Sequence, residues 1–128
     1  MSLCAASPAV TIERHGEKSK TVVEGHDVEL SCTAWGWPLP SVIWSHENSQ
    51  INLTDLQNET SIGNVSITLG LNVKNLNLSD RGDFICTGKN FFNETEHVGT
   101  DEILVRVKGQ CDCSVIVLIG GLLGCFAC

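Results

Sequence analysis

Cys32 and Cys86 stand 54 positions apart, and each lies on the apolar side of an alternating run. One run holds Val28, Leu30 and Cys32, another Phe84 and Cys86. Trp44 falls between them, paired in pattern with Val42, and Ile103, Val105 and Val107 make a further run. The longest is "NVSITLGLNV", where Val65, Ile67, Leu69, Leu71 and Val73 alternate with small or polar residues. Successive side chains of a β-strand point to opposite faces, so a period of two marks a strand buried on one side. No helical period precedes Ser114, and Gly, Pro, Asn and Asp fill the gaps between runs. The expected fold is all-β, a sandwich of short strands with residues such as Leu71 facing inward. A chain of 128 residues supports one such core and not two.

The formal charge of −7 leaves no basic face for a nucleic acid. Seven cysteines is an odd count, so at least one is free, bonded to another chain or modified. Asn52, Asn58, Asn64, Asn77 and Asn93 each begin an N-x-S/T sequon. At the Ser and Thr content of this chain, chance supplies roughly one or two such sites. The excess points to a secreted or cell-surface protein, where glycans and disulfides coexist.

The two termini read differently from the middle. "MSLCAASPAV" has neither a charged region nor an apolar run, so it is not a complete signal peptide. Residues 1–9 are read as an expression start or the edge of a domain, and residues 10–108 as the domain. Residues 109–128 are read as a juxtamembrane segment leading into a truncated transmembrane helix. Ser114 to Cys128 carries no charge and is shorter than the ~20 residues a spanning helix needs. Gly120 and Gly124 within it have the G-x-x-x-G spacing that lets membrane helices approach, although glycine is also ordinary in such segments.

The arrangement of Cys32, Trp44 and Cys86 resembles the core of immunoglobulin-superfamily domains, and the flanking motifs are most similar to the I-set. "VEGHDVELSC" resembles the lead into strand B, and "GWPLPSVIW" the B–C turn before the tryptophan of strand C. "LNVKNLNLSDRGDFICTGKN" resembles the E–F segment with its D-x-G-x-Y-x-C motif, here Asp80, Gly82, Phe84 and Cys86. The resemblance covers about a hundred residues. It implies an immunoglobulin-like β-sandwich of two packed antiparallel sheets with Greek-key connections, a Cys32–Cys86 disulfide between the sheets, and Trp44, Phe84 and Leu71 in the core. The motif's tyrosine is Phe84, and the chain has no tyrosine. Without a hydroxyl to bond the backbone, the E–F corner is expected to be held by packing alone.

Arg81-Gly82-Asp83 is the tripeptide that integrins bind on exposed loop tips. Here it is embedded in the E–F corner, where Gly82 serves the turn and Asp83 begins strand F, so a structural role is expected. Cys111, Cys113, Cys125 and Cys128 have zinc-like spacings, but the stretch between the pairs is apolar and no metal is expected. The four histidines fall on different segments with no nucleophile or phosphate-binding loop, so neither catalysis nor a cofactor is expected.

The expected role is recognition of protein partners, homophilic (with a homodimer as one form) or heterophilic, on the outer side of the cell membrane. A spacer domain with no ligand of its own is the alternative, and secretion the alternative location. Strand parity puts Ile43, Ile85 and Leu104 on the outward face of strands C, F and G, where they are candidate partner contacts. Trp35 and Trp37 in the B–C turn, with Phe91 and Phe92 after strand F, are expected to cluster at the membrane-distal tip.

Overall fold

The computed structural model describes residues 9–48, 53, 56–63, 65–109 and 116–125. Eight strands form two four-stranded sheets. The first contains β1 (Thr11–Arg14), β3 (Val28–Trp35), β6 (Ser66–Val73) and β5 (Gln57–Ile62), in that spatial order. The second contains β2 (Ser19–Val23), β8 (Thr95–Lys108), β7 (Gly82–Phe92) and β4 (Ser41–His46). Neighbours are antiparallel except β2 and β8, which run parallel. In the family's lettering, β4, β7 and β8 are strands C, F and G.

The inward positions of the alternating runs meet between the sheets. Leu30, Cys32, Trp44, Leu71, Phe84, Cys86, Ile103 and Val105 are all buried there. A disulfide joins Cys32 on β3 to Cys86 on β7, with a Cα–Cα distance of 6.6 Å. Trp44 carries the one polar atom of its indole across to the other sheet, where Nε1–H donates to the Leu69 carbonyl at 2.9 Å. Its main chain faces the open edge of β4. There the Gln57 side chain accepts from the Trp44 N–H at 3.0 Å and donates to the Trp44 carbonyl at 3.1 Å. Val65 departs from the expected inward face. It sits in the turn before β6 and is exposed, because its N–H closes the turn onto the Ile62 carbonyl.

The corner before β7 is not held by packing alone. Phe84 is fully buried, and the His46 ring stands edge-on to it with centroids 4.5 Å apart. His46 Nε2–H donates to the Asp80 carbonyl at 2.9 Å, while Nδ1 accepts from the Asn48 N–H at 2.9 Å. A backbone N–H can only donate, so these two partners select the neutral tautomer with its proton on Nε2. The bond that a tyrosine hydroxyl would make from β7 is made instead by an imidazole from β4. Next to it, the 3-10 turn Leu78–Asp80 is closed reciprocally: the Asn77 N–H donates to Asp80 Oδ2 at 2.8 Å, and the Asp80 N–H to the Asn77 carbonyl at 2.9 Å.

Between β1 and β2 the chain crosses from one sheet to the other, and an ion pair fixes the crossing. The Arg14 N–H donates to Asp101 Oδ2 at 3.0 Å, and its guanidinium to Oδ1 at 3.1 Å. Burial pulls the Asp101 carboxyl up, but the N–H groups of Arg14 and Glu102 and the Arg14 guanidinium outweigh it, so it titrates below the ordinary 3.8.

The C-terminal stretch differs from its expected helical form. Ile116–Ile119 (β9) and Leu122–Cys125 (β10) pair as an antiparallel hairpin around Gly120 and Gly121, both at positive φ. Two consecutive glycines with positive φ suit a two-residue hairpin turn, and the β-branched Ile116 and Val117 favour extended backbone. The G-x-x-x-G spacing thus runs from the turn at Gly120 into β10 at Gly124 and does not follow a helix face. No helix among the described residues is long and apolar enough to cross a membrane.

His46→Leu is expected to cost about 2 kcal/mol, because it leaves the Asp80 carbonyl and the Asn48 N–H without their partner. Urea unfolding measures it, and an unchanged midpoint would show that the imidazole does not tie the corner. The Asp101 carboxyl, depressed in the folded state, contributes stability that is present above about pH 3.8 and is lost as pH falls through its lower folded value. The stability gap between the wild type and Asp101→Asn should therefore be widest near neutrality and close below that pH. It should also narrow in high salt, since the pair is part-exposed.

Candidate recognition surface

Ile43, Ile85 and Leu104 all project from the outward face of the second sheet, because they occupy the positions between inward residues on β4, β7 and β8. Ile43 is 56% exposed, while Ile85 and Leu104 are half-buried. The register places them on a diagonal. Ile43 lies opposite Thr87, Ile85 between Ser45 and Glu102, and Leu104 opposite Asp83. Each apolar side chain therefore has polar cross-strand partners. Charged groups also flank the strip: Lys18 and Glu102 line a shallow hollow beside Ile85, and Arg106 lines another beside Leu104.

At the tip, parity separates the four aromatic residues. Trp35 ends β3 and points outward from the first sheet. Trp37 is in the following loop, 49% exposed, with its ring centroid 5.6 Å from that of Phe92 in an edge-on contact. Phe91 and Phe92 lie inside β7, not after it, so they point to opposite sides of the strand. Phe91 joins the outward face opposite Glu96 and is 64% exposed. The structure thus brings Trp37 and Phe92 together and leaves Trp35 and Phe91 on separate faces.

Val98 belongs to the outward face and was not among the expected contacts. It is exposed and lies opposite Lys89. β8 begins at Thr95, well before the apolar run that starts at Ile103. The residues between are mostly polar or glycine, which hides the alternation. Beneath the tip, the buried Asn90 donates from Nδ2 to the Pro38 carbonyl at 2.8 Å, tying the loop of Trp37 to β7.

The Arg81-Gly82-Asp83 tripeptide sits at the corner, not at a protruding tip. Gly82 is buried at φ 130°, and a Cβ there would collide with the Glu47 carboxylate. The Asp83 N–H donates to Glu47 Oε1 at 3.2 Å, and the Asp83 carbonyl accepts from the Glu47 N–H at 3.0 Å. Among the sequons, Asn58 is exposed on β5, Asn77 precedes the 3-10 turn, and Asn93 is in the turn between β7 and β8. Asn52 and Asn64 lie outside the described residues, as do Cys4, Cys111, Cys113 and Cys128. Among the described residues, no three His, Cys, Asp or Glu side chains gather as metal ligands would.

Two packed sheets in this strand order, antiparallel except for the β2–β8 pair and bridged by a disulfide beside a buried tryptophan, define an immunoglobulin-like sandwich. Residues 8–90 match the immunoglobulin domain family, and the chain belongs to it. Lachesin of Drosophila melanogaster is 33% identical over 79 residues, covering 62% of this chain and 20% of that protein. The human cell adhesion molecule DSCAML1 is 32% identical over 99 residues, covering 76% of this chain and 4% of that protein. This chain therefore spans a small fraction of the curated relatives it matches. A solved complex of Dpr2 Ig1-Ig2 with DIP-Theta Ig1-Ig3 superposes with a TM-score of 0.63 at 15% identity, over 77% of this chain and 32% of that one.

Asp83→Glu should leave integrin-dependent cell adhesion unchanged, since the longer carboxylate suits a strand edge and ruins an integrin ligand. Selective loss of that adhesion in a folded variant would reverse the assignment.

Proposed function

We propose that this chain is the extracellular recognition domain of a glycosylated, single-pass membrane protein, and that it binds protein through the outward face of β4, β7 and β8. The observation that carries the reading is the distribution of sequons. None of the five asparagines lies on those three strands, and only Asn93, in the turn that joins β7 to β8, is next to them; their outward face holds Ile43, Ile85, Leu104, Phe91 and Val98. A sugar-free face with several apolar side chains is suited to protein contact, whereas sugars on β5 and the corner would obstruct the other sheet. A relative named as a cell adhesion molecule supports recognition over catalysis. The partner is a second copy or a different protein.

The polar residues opposite each apolar one favour a second reading, a spacer that positions neighbouring domains and binds nothing itself. Ile85→Asp separates the two. It puts a charge at the centre of the strip and leaves the inward core alone. Sedimentation and binding to cell-surface protein should both weaken by tenfold or more if the face is an interface, about 1.4 kcal/mol. A folded variant that self-associates and binds as before places the interface elsewhere or favours the spacer.

A further inference from the structure

The turn between β7 and β8 has two residues, Asn93 and Glu94, with φ of 52° and 62°. Positive φ at both positions is the geometry of a type I′ hairpin turn, which asparagine tolerates. The pair that closes the turn is Phe92 opposite Thr95. Directly paired residues share a face, so the Phe92 ring and the Thr95 side chain stand side by side at the end of the hairpin. Thr95 is also the third residue of the Asn93 sequon, and its hydroxyl donates to the Asn93 carbonyl at 3.3 Å. Asn93 is exposed, and Phe92 stays half-buried despite its contact with Trp37.

We propose that Asn93 carries an N-linked glycan whose first N-acetylglucosamine lies across the turn against the Phe92 ring and Thr95. This rests on the extracellular reading above and deepens it. In the transfer, the Asn93 side-chain nitrogen attacks the anomeric carbon of a lipid-diphosphate-linked oligosaccharide. The new bond is N–C; the sugar's C–O bond to the diphosphate breaks, the diphosphate leaves with the electron pair, and the nitrogen gives up one proton to the transferase. The fold then decides what the sugar touches. One face of the pyranose is lined by C–H bonds, and a half-exposed aromatic ring beside the attachment point offers an apolar surface for it. Asn58 and Asn77 are placed differently: one is on an edge strand opposite Gly70, the other has its N–H engaged by Asp80. The sugar would complete the tip that Trp37 and Phe92 begin, and would confine protein contact to the strip on the outward face.

The test uses the full chain, routed into the secretory pathway of mammalian cells by an added leader peptide. The other sequons are removed by Thr54→Ala, Thr60→Ala, Ser66→Ala and Ser79→Ala. Mass spectrometry should find Asn93 occupied. Trimming to one N-acetylglucosamine should leave Tm unchanged. Complete removal, which converts Asn93 to aspartate, should lower Tm by about 4 °C. A chain that keeps Asn93 but is made under inhibition of the glycosyl transfer, and so carries no sugar, separates the effect of the charge from that of the sugar. In Phe92→Leu, removal should make no difference. Independently of any variant, nuclear Overhauser contacts should link the Phe92 ring protons to the first sugar. An unoccupied Asn93, an equal loss of Tm in Phe92→Leu, or absence of those contacts overturns the proposal. Because the leader forces entry into the pathway, such a failure is distinct from a failure of the Ile85→Asp binding test.

Discussion

The covalent bond between Cys32 and Cys86 is the constraint on which the sandwich depends. It ties β3 to β7, near the middle of each sheet, across 54 positions of sequence. Closing a loop of that length stabilises a folded chain by ~4 kcal/mol in the chain-entropy picture, a large share of the margin available to a domain of this size. Trp44 works at the same level of the core. Its indole fills the space between the sheets, and its N–H reaches the Leu69 carbonyl on the opposite side. The strands around this centre need only keep their inward parity for the core to close.

Parity also divides the surface. Inward residues are mostly apolar on both sheets, with the hydrogen-bonded His46 and Asn90 as polar exceptions, but the outward faces differ. That of the first sheet shows Glu29, Ser31 and Asn72, with sequon-bearing Asn58 along its edge strand. That of the second mixes isolated apolar side chains with polar partners in register. The same alternation that builds the core thus leaves the composition of the two outer surfaces free to differ.

The sandwich and its central pair were legible in the sequence because period-two burial is a local signal, and each inward position repeats it. Features that depend on distant partners were not. Phe84 reads as a lost tyrosine bond, since nothing near it shows that His46, on another strand, supplies the missing donor. The full length of the β7–β8 hairpin is not legible, because Glu96, Val98 and Thr100 on its outer side carry too little contrast with their neighbours. The aromatic tip was overcounted for a related reason: Phe91 and Phe92 are neighbours in sequence and therefore opposed in space. At the C-terminus hydrophobicity was read as helix, yet two adjacent glycines and β-branched residues suit a hairpin, and composition alone does not separate the two.

Gln57 has a consequence for how copies of this domain can meet. β4 is the last strand of its sheet, and an unpaired strand edge is an open template for another chain. At Trp44 both main-chain groups that would recruit a visiting strand are already taken by the Gln57 amide. One side chain, anchored on the edge strand of the opposite sheet, imitates the hydrogen bonding of a neighbour while ending after a single residue. Growth of the sheet from this margin would first have to unseat it, which guards the domain against ribbon-like polymerisation even when many copies crowd together on a surface.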